Sequence, residues 1–493
     1  MKKKSFSADS LLIQKYNRVF TLFAAFYYLI FLYCIIEQRY YGSVYQTALF
    51  RIVIALMVCS YFFVYRFHGG IELHLLALYC LWAIVTRIIH AEAVERWEYL
   101  VEIQLMLVWF IPGILLRSDN RDRYFKWLSW ITIVFFSVLG LLCIVVAVTR
   151  NPIVNPLSGY KIQFSDSSKW GVQRILFLTF HPNGTGGLYL IAFSLSLTLF
   201  FRTRMLGGKV FALLSALTAF IVIALTVSRN SQTFASVVLG LMAGIYALSR
   251  LKDGQKTAVR VAVLIGVAAI VLIASYRLYE PIRKGLWQIH KQVVNVSDVA
   301  ENPTGSAQPF LTGGELRTLS SGASASGGEE EYQEDSREYL ETGRKQIWWS
   351  ALKSLEIDPF RLLCGSPMND VMDISNSLIK EQVEDFHNCF LQIVNEFGLP
   401  ALLLALAFFL KMIVNGVAVV MGRNPVCRLQ DQMLVLPVAA MMGFNMLETK
   451  SFIVNDFTAL FFFFACGMLT GAYRDNCRQA DTRMEETGCS KNE

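Results

Sequence analysis

Glu384-Asp385-Phe386-His387-Asn388 sets two acids, a histidine and an asparagine side by side, and Gln392 and Glu396 follow at four-residue steps into an apolar run. His387 is the one histidine between His290 and the end of the chain. An imidazole near its ordinary pKa can take a proton from a hydroxyl, and Asn388, Gln392 and Glu396 are secondary polar contacts beside it. Three arginines stand in confined settings. Arg229 lies in Thr226-Val227-Ser228-Arg229-Asn230-Ser231, a turn too short for a solvated loop between two apolar runs. Arg344 opens an amphipathic stretch at Gly343-Arg344-Lys345. Arg174 precedes Pro182-Asn183-Gly184-Thr185-Gly186-Gly187, whose glycines permit close helix packing or leave backbone N–H groups open to a phosphate. Arginine binds a diphosphate in bidentate fashion without a metal. A base among arginines suits glycosyl transfer with a lipid diphosphate as leaving group. Each residue also has a plainer reading: a structural histidine, an arginine snorkelling to a membrane surface, an arginine facing solvent or headgroups.

These residues must be held by membrane-embedded elements. The 493 residues are 54% hydrophobic and 17% charged, against roughly 25% charged in soluble domains. The apolar residues come in runs of about 20, enough to cross a bilayer core as a helix. Lipid offers no partner to backbone N–H and C=O groups, so such runs fold as helices. The expected fold is all-α and polytopic. It has about twelve transmembrane helices, near 19–36, 47–65, 71–90, 98–116, 126–148, 183–201, 210–228, 231–249, 260–279, 396–420, 431–447 and 454–472. Under this count the basic clusters at Lys2-Lys3-Lys4, Arg117 to Arg123, Arg202 to Lys209, Arg250 to Arg260, Arg423 to Arg428 and Arg474 to Arg478 share one side. That side is cytoplasmic by the positive-inside rule, and holds both termini. The net charge of +7 therefore reports topology and not nucleic-acid binding.

Five units follow: N-terminal spans 1–170, central spans 171–279, an extracytoplasmic loop 280–395, C-terminal spans 396–473 and a cytoplasmic tail 474–493. Within the loop, 297–333 is rich in Gly, Ser, Glu and Thr and is expected to be disordered. Ile347, Trp348, Ala351, Leu352 and Leu355 fall at helical spacing and predict an amphipathic helix over 335–356, stopped by Asp358-Pro359. A second short helix is expected near 374–384. Arg51, Arg87, Glu98, Glu102, Lys411, Glu448, Lys450 and Asp456 are membrane-embedded charges, read mainly as internal ion pairs, Arg87 with Glu102 among them. The ten cysteines show no metal-ligand spacing. Cys364 and Cys389 share the outer loop and could pair there. No cleavable signal peptide is apparent. The P-loop, HExxH and G-x-S-x-G patterns are absent, as are acidic pairs for a sugar nucleotide and its metal, so no cofactor or metal is expected.

The chain resembles the O-antigen ligase and O-antigen polymerase superfamily of bacterial membrane glycosyltransferases. The resemblance rests on Pro182-Asn183-Gly184 opening a span and on Thr226-Val227-Ser228-Arg229 at a short outer turn. Its most specific part runs from Gly343-Arg344 and Trp348 through Asp358-Pro359 and Gly365 to His387-Asn388, Leu391-Gln392, Glu396 and Gly398-Leu399. It covers about residues 170–420. It implies transfer of a glycan from undecaprenyl diphosphate on the outer face of the cytoplasmic membrane to an acceptor hydroxyl, on lipid A–core or on another lipid-linked glycan, without metal or nucleotide. By the same resemblance, Arg229 and Arg344 hold the diphosphate with Arg174 auxiliary. His387 activates the acceptor or assists at the diphosphate. Ligase and polymerase share this donor, and the sequence does not separate them. The rival class is a flippase or transporter of the same lipid-linked oligosaccharide. Against it stand the lack of an internal repeat and polar residues gathered on one face and not at mid-membrane.

Overall fold

The computed structural model describes residues 7–37, 48–65, 70–90, 97–156, 159, 161–164, 174–177, 182–251, 255–301, 335–356, 359–367, 373, 376–377, 386–421, 429–447 and 457–486. In chain order the helices are α1 (Ser7–Glu37), α2 (Ala48–Tyr65), α3 (Gly70–Ile89), α4 (Trp97–Leu115) and α5 (Ser118–Thr149). Strands β1 (Ile153–Val154), β2 (Lys161–Phe164) and β3 (Ile175–Leu176) follow. Then come α6 (Pro182–Arg202), α7 (Leu206–Thr226), α8 (Arg229–Ser249), α9 (Thr257–Tyr276), α10 (Tyr279–Glu301), α11 (Asp335–Glu356) and α12 (Pro359–Cys364). The chain closes with α13 (Cys389–Met421), α14 (Leu429–Gln432), α15 (Val435–Met446) and α16 (Phe457–Glu486).

Among the described residues, nine helical stretches are long and apolar enough to cross a membrane. Large side chains such as Leu22, Leu56, Phe63, Ile270 and Leu410 are exposed around them, as a lipid-facing surface requires. The protein is a multi-pass helical membrane protein. Helices occupy the positions of all twelve expected spans, but α2 and α4 carry shorter apolar stretches, Ile52–Tyr65 and Ile103–Leu115. α15 has 12 residues, about 18 Å of helix against a hydrocarbon core of about 30 Å.

Apolar side chains gain little by leaving lipid, so close packing of small residues has to hold the helices together. A Cβ on Gly113 of α4 would lie 2.1 Å from the backbone of Gly467 on α16, and one on Gly471 would lie 2.1 Å from the carbonyl of Gly113. Gly240 and Gly244 of α8 admit the backbone of α9 at Ala268 and Leu264 in the same way. Around the α4–α16 seam, Tyr28 stacks on Trp109 and meets Phe457 and Phe464 edge-on or tilted.

Three expectations change, and one segment gains strands within the helical fold. The segment 149–182 contains a small antiparallel sheet, β1-β2-β3, with Ile153 opposite Ile162 and Phe164 opposite Ile175. Residues 297–301, expected to be disordered, end helix α10, which packs on α5 and α7. The helix placed at 396–420 begins at Cys389 and is broken inside at Gly398 (φ 79°, ψ 177°), followed by Pro400. Cys364, at the end of α12, and Cys389, the first residue of α13, are separate buried thiols. Helix α11 spans Asp335–Glu356 as expected. Residues 302–333, most of the short helix near 374–384 and the charges at 448, 450 and 456 lie outside the described residues, as do the side chains of Arg51, Glu98, Glu102 and Arg344.

Candidate functional site

The helices α6 and α8 start beside each other. Val227 takes a left-handed conformation (φ 53°) after α7, and Ser228 caps α8 by accepting from the Ser231 N–H. This reverses the chain within two residues and sets Arg229 at the first position of α8, exposed. A Cβ on Gly186 would lie 2.2 Å from Ser231 Oγ, so α6 touches the α8 start at its glycines. The glycines therefore serve close packing. Gly187 meets the ring of Phe444 at the end of α15, and Asn230 Nδ2 donates to the Leu447 carbonyl at 3.4 Å. Arg174, half-buried just before β3, is held below the ordinary arginine pKa by burial and next by the positive charge of Arg229. Arg174 therefore lies within electrostatic reach of Arg229, at the N-terminal, positive dipole end of α8.

His387 stands at the start of α13. Helices α13 and α16 run in the same direction, with Phe409 stacked on Phe462 and Met412 meeting Thr470. Thr458, at the start of α16, lies against Gly187. The starts of α6, α8, α13 and α16 therefore share one end of the bundle, which brings Arg174, Arg229 and His387 to that end. His387 is partly exposed and has φ 48°, a region that non-glycine residues occupy chiefly where function or strong surroundings hold them. Asn388 Oδ1 accepts from the N–H groups of Phe390 at 3.0 Å and Leu391 at 3.2 Å, and so caps α13.

Gln392 and Glu396 face inward. Gln392 Nε2 donates to Glu396 Oε1 at 2.6 Å, and Gln392 Oε1 accepts from the Phe386 N–H at 3.3 Å. Arg87 Nη2 donates to Glu396 Oε2 at 2.5 Å. The side chain of the expected partner Glu102 lies outside the described residues; among the described residues Arg87 makes an ion pair with Glu396, 309 residues away in sequence. The Arg87 guanidinium also lies 4.9 Å above the Phe397 ring, and Trp82 Nε1 donates to the Phe397 carbonyl at 2.8 Å. Lys411, read as part of another ion pair, does pair inside the bundle, with Glu72.

The helix break beside Glu396 is locked by two glycines. Gly398 and Gly365 both have positive φ, 79° and 68°. A Cβ on Gly398 would lie 2.1 Å from the Leu363 carbonyl oxygen, and one on Gly365 would lie 2.2 Å from the backbone of Glu396. The Ser366 N–H donates to the Asn395 carbonyl at 2.8 Å, and His90 Nε2 donates to the Cys364 carbonyl at 3.2 Å. Asn395 further ties α11 to α13, accepting from Ser354 Oγ at 2.7 Å and donating to the Ala351 carbonyl at 3.2 Å. Sequence reasoning missed the Arg87–Glu396 pair and this interlock. The available signals were a lone arginine in an apolar span and two glycines bracketing a polar helix start.

No protein-family model matches the chain, and a search of curated proteins finds no match to it.

Proposed function

We propose that the protein is a metal-independent glycosyltransferase of the O-antigen ligase or polymerase type in a bacterial cytoplasmic membrane, with its site on the outer face and both termini in the cytoplasm. It takes a glycan from undecaprenyl diphosphate and passes it to an acceptor hydroxyl of another lipid-linked glycan or a lipid core. The observation that carries this reading is the joined starts of α6 and α8, where Gly186 meets Ser231 and Arg229 is exposed at the first position of α8, with Arg174 before β3 near enough to feel its charge. His387 stands at the same end of the bundle. In the proposed step the acceptor oxygen attacks the anomeric carbon, its proton passes to His387, and the bond from that carbon to the diphosphate oxygen breaks with inversion. The diphosphate leaves with the electron pair and is stabilised by Arg174 and Arg229, joined by Arg344 of α11 on the strength of the sequence resemblance.

The test is Arg229→Ala and His387→Ala made singly, with polymer or ligated product measured in membranes at matched protein levels. The reading expects each to lose product. Full activity in both would remove the assignment.

A further inference from the structure

We infer that Arg87, acting through Glu396 and Gln392, is a positioning residue for His387. Its catalytic consequence rests on the proposed transferase reading; the geometry does not. The path is continuous. Arg87 holds one oxygen of the Glu396 carboxylate at 2.5 Å, and Gln392 Nε2 holds the other at 2.6 Å. With its NH2 group committed to Glu396, the Gln392 amide must turn its oxygen the other way, where it accepts the Phe386 N–H at 3.3 Å. Phe386 is the residue before His387. Its carbonyl, in the peptide group shared with His387, accepts from Trp348 Nε1 at 3.0 Å, and its ring is fully buried with Ala351, against Ile347 and Leu391. On the other side Asn388 is fixed as the cap of α13.

Both neighbours of His387 are therefore clamped, which is the condition under which a histidine persists at φ 48°. Glu396 is 1% exposed and Arg87 13%, so the carboxylate depends on the guanidinium for compensation. A buried charge that loses its partner is strongly unfavourable and drives rearrangement. Loss of Arg87 would release Glu396, then the Gln392 amide, then the Phe386 peptide. The result places a control residue for the site in α3, outside the 170–420 stretch that carries the sequence resemblance.

The experiment uses the full chain in detergent and reads diethyl pyrocarbonate modification of individual histidines by mass spectrometry. His74 and His290, which bond the carbonyls of Gly70 and Val148 elsewhere, serve as internal controls. Arg87→Ala is expected to change the His387 rate at least threefold with His74 and His290 unchanged, and Arg87→Lys, which keeps the charge, to restore most of it. Gln392→Leu interrupts the path while leaving the Arg87–Glu396 pair intact. It should shift His387 in the same way, which keeps the inference testable if Arg87→Ala fails to fold. In transfer assays Arg87→Ala and Gln392→Leu should lower kcat by about tenfold or more with donor KM nearly unchanged, and Arg87→Lys should recover most of it, because the arginine pair lies on other elements. An unchanged His387 rate in well-folded Gln392→Leu protein overturns the inference, whatever the transfer activity. A shifted rate in a protein whose wild type transfers no glycan leaves the positioning path standing and removes the transferase reading.

Discussion

At His387 the backbone conformation and the proposed chemistry make opposite demands on the side chain. A left-handed backbone costs an L-residue roughly 1–2 kcal/mol, and glycine escapes that but loses about 0.5–1 kcal/mol to its greater unfolded freedom. The gain equals or exceeds the loss, so His387→Gly should melt at or slightly above wild type while losing transfer. His387→Val, β-branched at φ 48°, should lose about 1–3 kcal/mol of stability. Thermal unfolding in detergent beside product measurement separates the two; a collapsed melting temperature in the glycine variant would show that the imidazole is structural. His387 itself was legible in the sequence, because a polar cluster at the mouth of an apolar run is conspicuous. Its support was not. Glu396 could be placed on one helix face with Asn388 and Gln392, but nothing local says that its counter-ion is Arg87, 309 positions away. Gly365 and Gly398 are each ordinary until their backbones are seen pressed together.

The starts of α6 and α8 act as one unit, joined at Gly186 and Ser231. In the proposed reading a diphosphate binds Arg229 at that start together with Arg174, which feels its charge. Inorganic pyrophosphate should therefore raise the melting temperature of the wild-type protein by mass action. The rise should shrink in Arg229→Gln, which retains Arg174 but lacks the second charge. Equal shifts in both proteins would show that the anion binds elsewhere. The long helices were readable because each apolar run has a single solution in lipid. The strands β1 to β3 were not, since pieces of two to four residues in a polar segment carry no periodic signal. The start of α13 was misplaced for a related reason. Phe397-Gly398-Leu399-Pro400 looks like a helix entry, whereas Asn388 caps the helix nine residues earlier and the Gly398 break is absorbed inside it.

Across the whole molecule the two ends of the bundle divide the work. The end opposite His387 is a set of ion pairs between distant helices. Glu72 of α3 accepts from Arg474 of α16 at 3.0 Å and from Asn415 of α13 at 3.0 Å, with Lys411 at 3.5 Å. Arg202 of α6 pairs with Asp122 and Asp431, and Arg121 with Asp475 at 2.6 Å. Glu72→Ala leaves two cations on one missing anion. Breaking a buried pair costs roughly 3–5 kcal/mol. Lys411 and Arg474 keep 23% exposure, so the lower part of that range is expected. Adding Lys411→Met should recover part of the loss in thermal unfolding, and a double variant less stable than the single would contradict the pairing. These pairs hold α3 against α13 and α16, and α3 carries Arg87 to the other end.

The proposed reaction is transfer from a lipid diphosphate by His387 and the arginines. Purified protein reconstituted with undecaprenyl-diphosphate-linked glycan and acceptor, in chelator and without nucleotide, tests it most directly. Elongated or ligated product with release of undecaprenyl diphosphate is expected, lowered about 10²–10⁴-fold by His387→Ala as for loss of a general base. Movement of the lipid-linked glycan across the bilayer with no new glycosidic bond, or undiminished product from His387→Ala, would contradict it.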